Sequence, residues 1–295
     1  MRVLLATDGS PAADVAVDLV RHLQFERGTA MRVVRVLASA ASVRFAGTRA
    51  RHAIDRIDAE QLGALQRLAL SLGRDGVHVE AELLRNDSAA DALVAAAADW
   101  SADLVVTGSR GHGQIANMVL GSVASALTDR ASCPVLVARR PACERVLLAD
   151  DGSESAAAAR NLLATWRVFN GVSTRVLSVA QVMPILHAGI PPTLVAEAHQ
   201  AEAETLAEAR ATHQGLATAG ANALWTAGIA AEPALRSGDA SAEIIAEAAA
   251  WDADLSVMGS RGRTGLSRFF LGSVARNVLL HSASSVLIVR QGLGG

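Results

Sequence analysis

LVVTGSRGHGQIANMVLGSV, residues 104–123, and LSVMGSRGRTGLSRFFLGSV, residues 255–274, are two versions of one segment. Each begins as an apolar run of β-forming residues and breaks at a glycine turn, Gly108-Ser-Arg-Gly111 or Gly259-Ser-Arg-Gly262. Each then reaches a glycine–hydroxyl pair, Gly121-Ser122 or Gly272-Ser273, that leads into apolar residues at helical spacing. Glycines let backbone approach a ligand closely, and a Gly-Ser pair opening a helix leaves N–H groups pointing outward, so the segment has the makings of an anion site. Arg110 and Arg261 add positive charge. One copy would read as an ordinary strand–turn–helix connection; two copies with the same Gly-x2-Gly-x9-Gly-Ser spacing argue for more.

The repetition extends outward. RVLLATDGS at Arg2–Ser10 returns as RVLLADDGS at Arg145–Ser153, with Thr7 and Asp150 the one difference, and Trp100-Ser-Ala-Asp-Leu104 returns as Trp251-Asp-Ala-Asp-Leu255. A period this long is a duplicated domain rather than a solenoid repeat. The boundary falls near Arg140-Pro141-Ala142, giving domains 1–141 and 142–295 held close by a very short joint.

Within the first copy, strands are expected at Val3–Ala6, Met31–Leu37, Val77–Leu84, Leu104–Thr107 and Val135–Ala138, alternating with helices. In the second they are expected at Arg145–Ala149, Thr174–Val179, Ala230–Leu235, Leu255–Met258 and Val286–Val289. Helices are expected at Ser153–Trp166, Thr193–Ala219, Ala240–Trp251 and Ser273–His281. The extra residues of the second copy fall between its second and third strands. Continuous apolar strands alternating with helices imply an α/β fold: two tandem Rossmann-like domains, each a five-stranded parallel sheet with helices on both faces. With strand order 3-2-1-4-5, the order reverses between strands one and four, and ligands bind beyond the carboxyl ends of strands at such a point. Asp8 then faces the glycine loop of Gly108 across one crevice. A carboxylate that accepts from ribose hydroxyls, opposite N–H groups that hold phosphate, suits a nucleotide.

Composition bounds the alternatives. The net charge is −2, aromatic residues are 3% of the chain and tyrosine is absent, which argues against a nucleic-acid surface. Cys133 and Cys143 lack zinc-type spacing and read as reduced thiols. The N-terminus has no signal-peptide character, and no stretch approaches the ~20 apolar residues of a membrane span, so a cytoplasmic protein without membrane partners is expected. No lysine follows a glycine loop as in a P-loop, the first strand leads to DGS rather than GxGxxG, and no GxSxG elbow is present. The histidines are scattered: His112 lies in the first glycine loop where the second has Arg263, and His187, His199 and His213 do not have metal-site spacing. No nucleophile–base pair or metal site is assigned.

The DGS turns, the duplicated glycine motif and the apolar last strands resemble the universal stress protein family, in the tandem form of its ATP-binding branch. The resemblance covers nearly the whole chain. It implies ATP as the ligand, with or without Mg2+. It implies that Asp8 and Asp151 contact the ribose or adenine side, and that Val36 and Val179 offer backbone groups to the adenine. Gly108, Gly111, Gly121 and Ser122 would hold ribose and phosphates, with Arg110 and Val123 adjoining. Gly259, Gly262, Gly272 and Ser273 would do the same in the second copy, with Arg261 and Val274. It also implies that the two last strands pair into an intramolecular pseudo-dimer, and it leaves room for a homodimer of chains. Each assignment has a plainer alternative: an Asp-Gly turn for Asp8 and Asp151, helix caps for Ser122 and Ser273, solvated loop charges for Arg110 and Arg261. Asp103 and Asp254 read as structural residues at the far end of strand four. Two function classes stay open, a nucleotide-dependent regulatory stress-response protein and a slow ATPase or phosphotransferase. The second loop carries Arg263 and Arg268 where the first has His112 and Asn117, so tighter triphosphate binding is expected in the second copy.

Overall fold

The structure is a computed structural model that describes residues 1–39, 48–111, 120–181, 195–262 and 271–290. The chain runs β1 (Arg2–Ala6), α1 (Pro11–His22), β2 (Thr29–Leu37), α2 (Thr48–Leu72), β3 (Val77–Arg85), α3 (Ala89–Asp99), β4 (Leu104–Gly108), α4 (Ser122–Arg130) and β5 (Val135–Ala138). The second half repeats it: β6 (Arg145–Ala149), α5 (Glu154–Thr165), β7 (Ser173–Ala180), α6 (Val195–Thr226), β8 (Ala231–Ser237), α7 (Ala240–Ala250), β9 (Leu255–Gly259), α8 (Ser273–His281) and β10 (Ser285–Val289). A short 3-10 turn at Arg167–Phe169, which no periodicity signals, follows α5.

Each half has the expected strand order, β3-β2-β1-β4-β5 and β8-β7-β6-β9-β10, with parallel pairing inside each. The two five-stranded sheets are joined at their last strands. β5 and β10 pair antiparallel, Val137 opposite Val286 and Val135 opposite Ile288, so all ten strands form one sheet. β5 is a short strand whose four residues are all buried; left as an edge it would expose both apolar side chains and unpaired backbone groups, and each half covers the other's. The core is accordingly divided by face of the sheet rather than by domain. One apolar layer joins Leu5, Val33 and Leu136 to Leu148, Val176 and Leu287; the layer on the other face joins Leu4, Val105 and Val137 to Leu147, Met258 and Val286.

The element limits follow local chemistry. Ser10, Ser88, Ser153 and Asp239 each accept a hydrogen bond from a first-turn N–H and start α1, α3, α5 and α7. The second copy is lengthened where expected, since α6 has 32 residues against 25 in α2. But α6 runs past Ala219 to Thr226. Gly220, just past that expected end, lies inside the helix, and glycine is needed there because a Cβ would sit 2.9 Å from Val176 Cγ1 and 3.2 Å from Asp150 Oδ2. The helix stops at Gly228, which has φ +86°. There Gly228 N–H donates to Trp225 O and Ile229 N–H to Leu224 O, the paired bonds of a left-handed helix end.

Candidate functional site

Two clefts open at the carboxyl ends of the strands, one per half, where the strand order reverses. The first has a volume of about 360 Å3 and the second about 310 Å3. Asp8, Val36, Gly108, Arg110, Gly111, Gly121, Ser122 and Val123 all line the first, and Asp151, Val179, Gly259, Arg261, Gly262, Gly272, Ser273 and Val274 all line the second. The sixteen residues singled out in sequence are therefore brought together as two sets of eight.

The DGS turn sets one wall. Asp8 Oδ1 accepts from Ser10 N–H at 2.9 Å, and Asp151 Oδ1 accepts from Ser153 N–H at 3.0 Å. Gly9 and Gly152 between them have φ of +79° and +77°, which L side chains rarely adopt. The turn reading of these aspartates holds through one carboxylate oxygen. The second oxygen points across the cleft: a Cβ on Gly111 would meet Asp8 Oδ2 at 2.5 Å, and one on Gly262 would meet Asp151 Oδ2 at 2.9 Å. The acidic turn and the glycine loop face each other in both halves.

The glycines divide by role. A Cβ on Gly108 would lie 2.4 Å from Ala12 O, and one on Gly259 would lie 2.4 Å from Ser155 Cβ. Glycine is needed there so that α1 and α5 can start hard against the end of β4 and β9, a packing requirement distinct from any ligand. A Cβ on Gly121 would meet Arg110 Cα at 3.2 Å and Ser109 O at 3.4 Å. Gly121 N–H donates to Ser109 O at 2.8 Å and Gly272 N–H to Ser260 O at 2.8 Å. The two ends of each glycine motif are therefore tied together by backbone. Ser109 and Ser260 are buried at these ties, a role no spacing argument assigns.

The helix that follows each tie is capped differently from its neighbours. The N-cap residues of α4 and α8 are Gly121 and Gly272, with extended backbone and no side-chain cap bond. The capping alternative for Ser122 and Ser273 is corrected, since both are the first helical residue and both are exposed. The first-turn N–H groups of α4 and α8 have no side-chain acceptor among the described residues, and these are the turns that line the clefts. Arg110 is exposed and Arg261 half-buried at the same end. Each cleft also has apolar lining, with Val36, Leu93 and Leu120 in the first and Val179 and Ile244 in the second, where Leu271, the match of Leu120, is buried beside the cleft rather than lining it. Leu93 and Ile244 escaped the motif reading because they belong to the apolar stripe of a helix and carry no signal that separates lining from core.

Other expectations resolve as follows. Asp103 Oδ2 accepts from Arg2 N–H at 2.6 Å, and Asp254 Oδ2 accepts from Glu144 N–H at 2.9 Å and Arg145 N–H at 3.0 Å. Both tie the start of one strand to the next, at the end of the sheet away from the clefts. Both cysteines are free. Burial pushes the Cys133 thiol up to about 11 and the Cys143 thiol up to about 12, so neither is a ready thiolate near neutral pH. His112, Asn117, His187, Arg263 and Arg268 lie outside the described residues. No helix among the described residues is long and apolar enough to cross a membrane.

A sequence model described as the universal stress protein family matches residues 1–139 and again 143–290. A universal stress protein of Mycobacterium tuberculosis is 34% identical over 203 residues, covering 64% of this chain and 62% of that protein. The chain thus spans less than two thirds of the length of that relative. A second universal stress protein of M. tuberculosis is 27% identical over 322 aligned positions, covering 99% of this chain and 97% of the relative. Among solved structures, a universal stress protein from Archaeoglobus fulgidus superposes with a TM-score of 0.66 at 18% identity, covering 99% of this chain and 98% of that one. One from Pseudomonas aeruginosa gives 0.61 at 19% identity, covering 98% and 92%. At these identities the structural likeness speaks to the fold.

Proposed function

This chain belongs to the universal stress protein family, with two family domains in tandem, and from that premise we propose that it is a nucleotide-dependent regulatory protein of the stress response that binds ATP in both clefts. The observation that carries the reading is the uncapped start of α4 and α8, which turns first-turn N–H groups into a cleft whose other wall is a carboxylate. Uncapped N–H groups at the positive end of a helix favour an anion, and Arg110 and Arg261 add charge at that end. Asp8 and Asp151 supply the acceptor that ribose hydroxyls need. The apolar lining that includes Val36 and Val179 suits a flat ring. Nucleotide occupancy would then bridge β1, β4 and α4 in one half and their counterparts in the other. Association of two chains as a homodimer belongs to the same reading, and sedimentation with and without ATP tests it.

Calorimetry with ATP, ADP and GTP is the primary test, with two sites per chain as the expected outcome. Gly111→Val should remove one site by displacing the Asp8 carboxylate, and Gly262→Val should remove the other. No adenine-nucleotide binding at millimolar concentration overturns the reading. The alternative, a slow ATPase or phosphotransferase, is separated by single-turnover hydrolysis with and without Mg2+. Sustained turnover that both variants abolish favours the enzyme.

A further inference from the structure

The last strand of each half ends in an arginine, Arg139 after β5 and Arg290 after β10. Because β5 and β10 run antiparallel, each arginine is delivered past the junction to the opposite half. Arg139 Nη2 donates to Leu279 O in the last turn of α8, and its Nη1 reaches Ser284 O at 3.5 Å. Arg290 Nη2 donates to Thr128 O at 2.6 Å, in the last turn of α4. Arg139 and Arg290 stand 151 residues apart, as do Thr128 and Leu279 and as do Gly121 and Gly272. The two contacts are the same contact made twice, crossed between the halves.

The last carbonyls of a helix lack intrahelical donors and carry the negative end of the helix dipole, so a guanidinium there both satisfies a carbonyl and complements charge. α4 and α8 are nine residues long, and a helix of that length spans roughly 13 Å. Its far end is the first turn that lines a cleft. Each arginine also stands beside the cleft arginine of its own half: Gly108 pairs with Ala138 and Gly259 with Val289, so Arg139 and Arg290 leave the sheet next to the glycine turns that carry Arg110 and Arg261. Burial, and then the like charge of Arg110, lowers the Arg139 guanidinium to about 10. Burial lowers that of Arg290, with Asp129 and Cys133 opposing and Arg261 acting in the same direction as burial.

We infer that Arg139 and Arg290 are positioning residues that couple the two clefts: each stands near the arginine of one cleft and holds the helix that forms the other. The inference rests on the reading that the clefts take an anionic ligand. An anion at Arg110 offsets its repulsion of Arg139, strengthens the hold on Leu279 O and seats α8 for the second ligand; the reverse path runs through Arg261, Arg290 and α4. Coupling of this kind is reciprocal. Neither arginine lines a cleft, so direct ligand contact is not part of the inference.

Hydrogen exchange and calorimetry on the full chain test it together. Without ligand, Arg139→Gln should speed amide exchange in the last turns of α8 and leave α4 unchanged, and Arg290→Gln should do the converse. With ATP, the wild type should bind its second equivalent about fivefold or more tighter than its first, once the statistical factor is removed. Either Gln variant should bring the two steps together, and Arg→Lys should restore part of the difference. Arg290→Gln carries the test should Arg139→Gln not fold. A wild type that binds no ATP overturns the nucleotide reading while the exchange maps still decide whether the arginines act across the junction. Exchange that rises in the arginine's own half, or in neither, overturns the inference, and so does coupling that survives both Gln variants.

Discussion

At the end of β1 the first half has Thr7, and at the end of β6 the second has Asp150. Both make the same bond, Thr7 Oγ1 accepting from Gly9 N–H at 3.2 Å and Asp150 Oδ1 from Gly152 N–H at 3.0 Å. The carboxylate has a second oxygen, and Asp150 is buried. Arg160 on α5 pairs with that oxygen, at the position where α1 has the buried Val17. The turn is thus kept while the charge brought with it is answered ten residues later. A like difference appears on the other face. Arg32 lies over Trp100 and Arg175 over Trp251, at 4.5 and 4.6 Å from the ring centres. In the second half Glu247 is added where α3 has Ala96, bonded to Arg175 at 2.7 Å and Arg236 at 2.6 Å while buried. The copies share backbone and diverge in buried charge, because a buried charge is tolerated only with its partner and so changes in sets.

The largest expected effect breaks one such set. Arg160→Val alone should destabilise the chain by about 3–5 kcal/mol, since it leaves Asp150 buried without its cation. Adding Asp150→Thr should recover most of that loss by restoring the first-half arrangement. Urea denaturation of the single and double variants measures both. A double variant no more stable than the single would mean the two halves differ here for another reason.

Glu247 comes next. Glu247→Ala should lower stability by about 1.5–3 kcal/mol, the range for hydrogen bonds to charged groups; it sits below the first because Arg175 and Arg236 stay partly solvated. Burial raises the Glu247 carboxyl, but the bonds from Arg175 and Arg236 outweigh it and hold the carboxyl below its ordinary 4.5. A depressed carboxyl stabilises the fold fully above its unfolded value and loses that contribution as pH falls through its folded value. Thermal melting of wild type and Glu247→Ala should therefore differ at pH 7 and converge in acid, while Ala96→Glu in the first half should bring no matching gain.

The smallest effect concerns the clefts. Val34 and Thr107 line the first where the larger Leu177 and Met258 line the second, and the second is the smaller cleft. Leu177→Val with Met258→Thr should bring the ATP affinities of the two clefts together by about 1 kcal/mol, the scale of a methylene in a binding pocket. The charges of Arg263 and Arg268 point the opposite way, toward a tighter second site. Titration of the Gly111→Val and Gly262→Val chains at pH 6 and pH 8 weighs one against the other: a second site that is tighter at pH 8 favours charge, a weaker one favours cleft volume.

Much of this was legible in the linear chain. Strand and helix placement follows apolar periodicity, which acts over a few residues, so β5, β6 and α8 have the limits their sequences imply. The site residues were legible because the DGS turn and the glycine motif need special backbone geometry that few residues supply. Where the reading slipped, at the end of α6, the local rule met a tertiary contact: Gly220, just past the expected end, was needed mid-helix for the approach of Val176.

From its sequence alone this chain is a duplicated α/β protein with two glycine-loop clefts, because periodicity, turns and repeat spacing are properties of neighbours along the chain. The tertiary structure alone decided the antiparallel register of β5 and β10 and the pair of apolar layers that both halves share. It alone sent Arg139 and Arg290 each into the other half. Those contacts join residues about a hundred or more positions apart, and nothing in local pattern encodes which distant carbonyl a guanidinium will meet until the antiparallel pairing of β5 and β10 fixes where each chain end points.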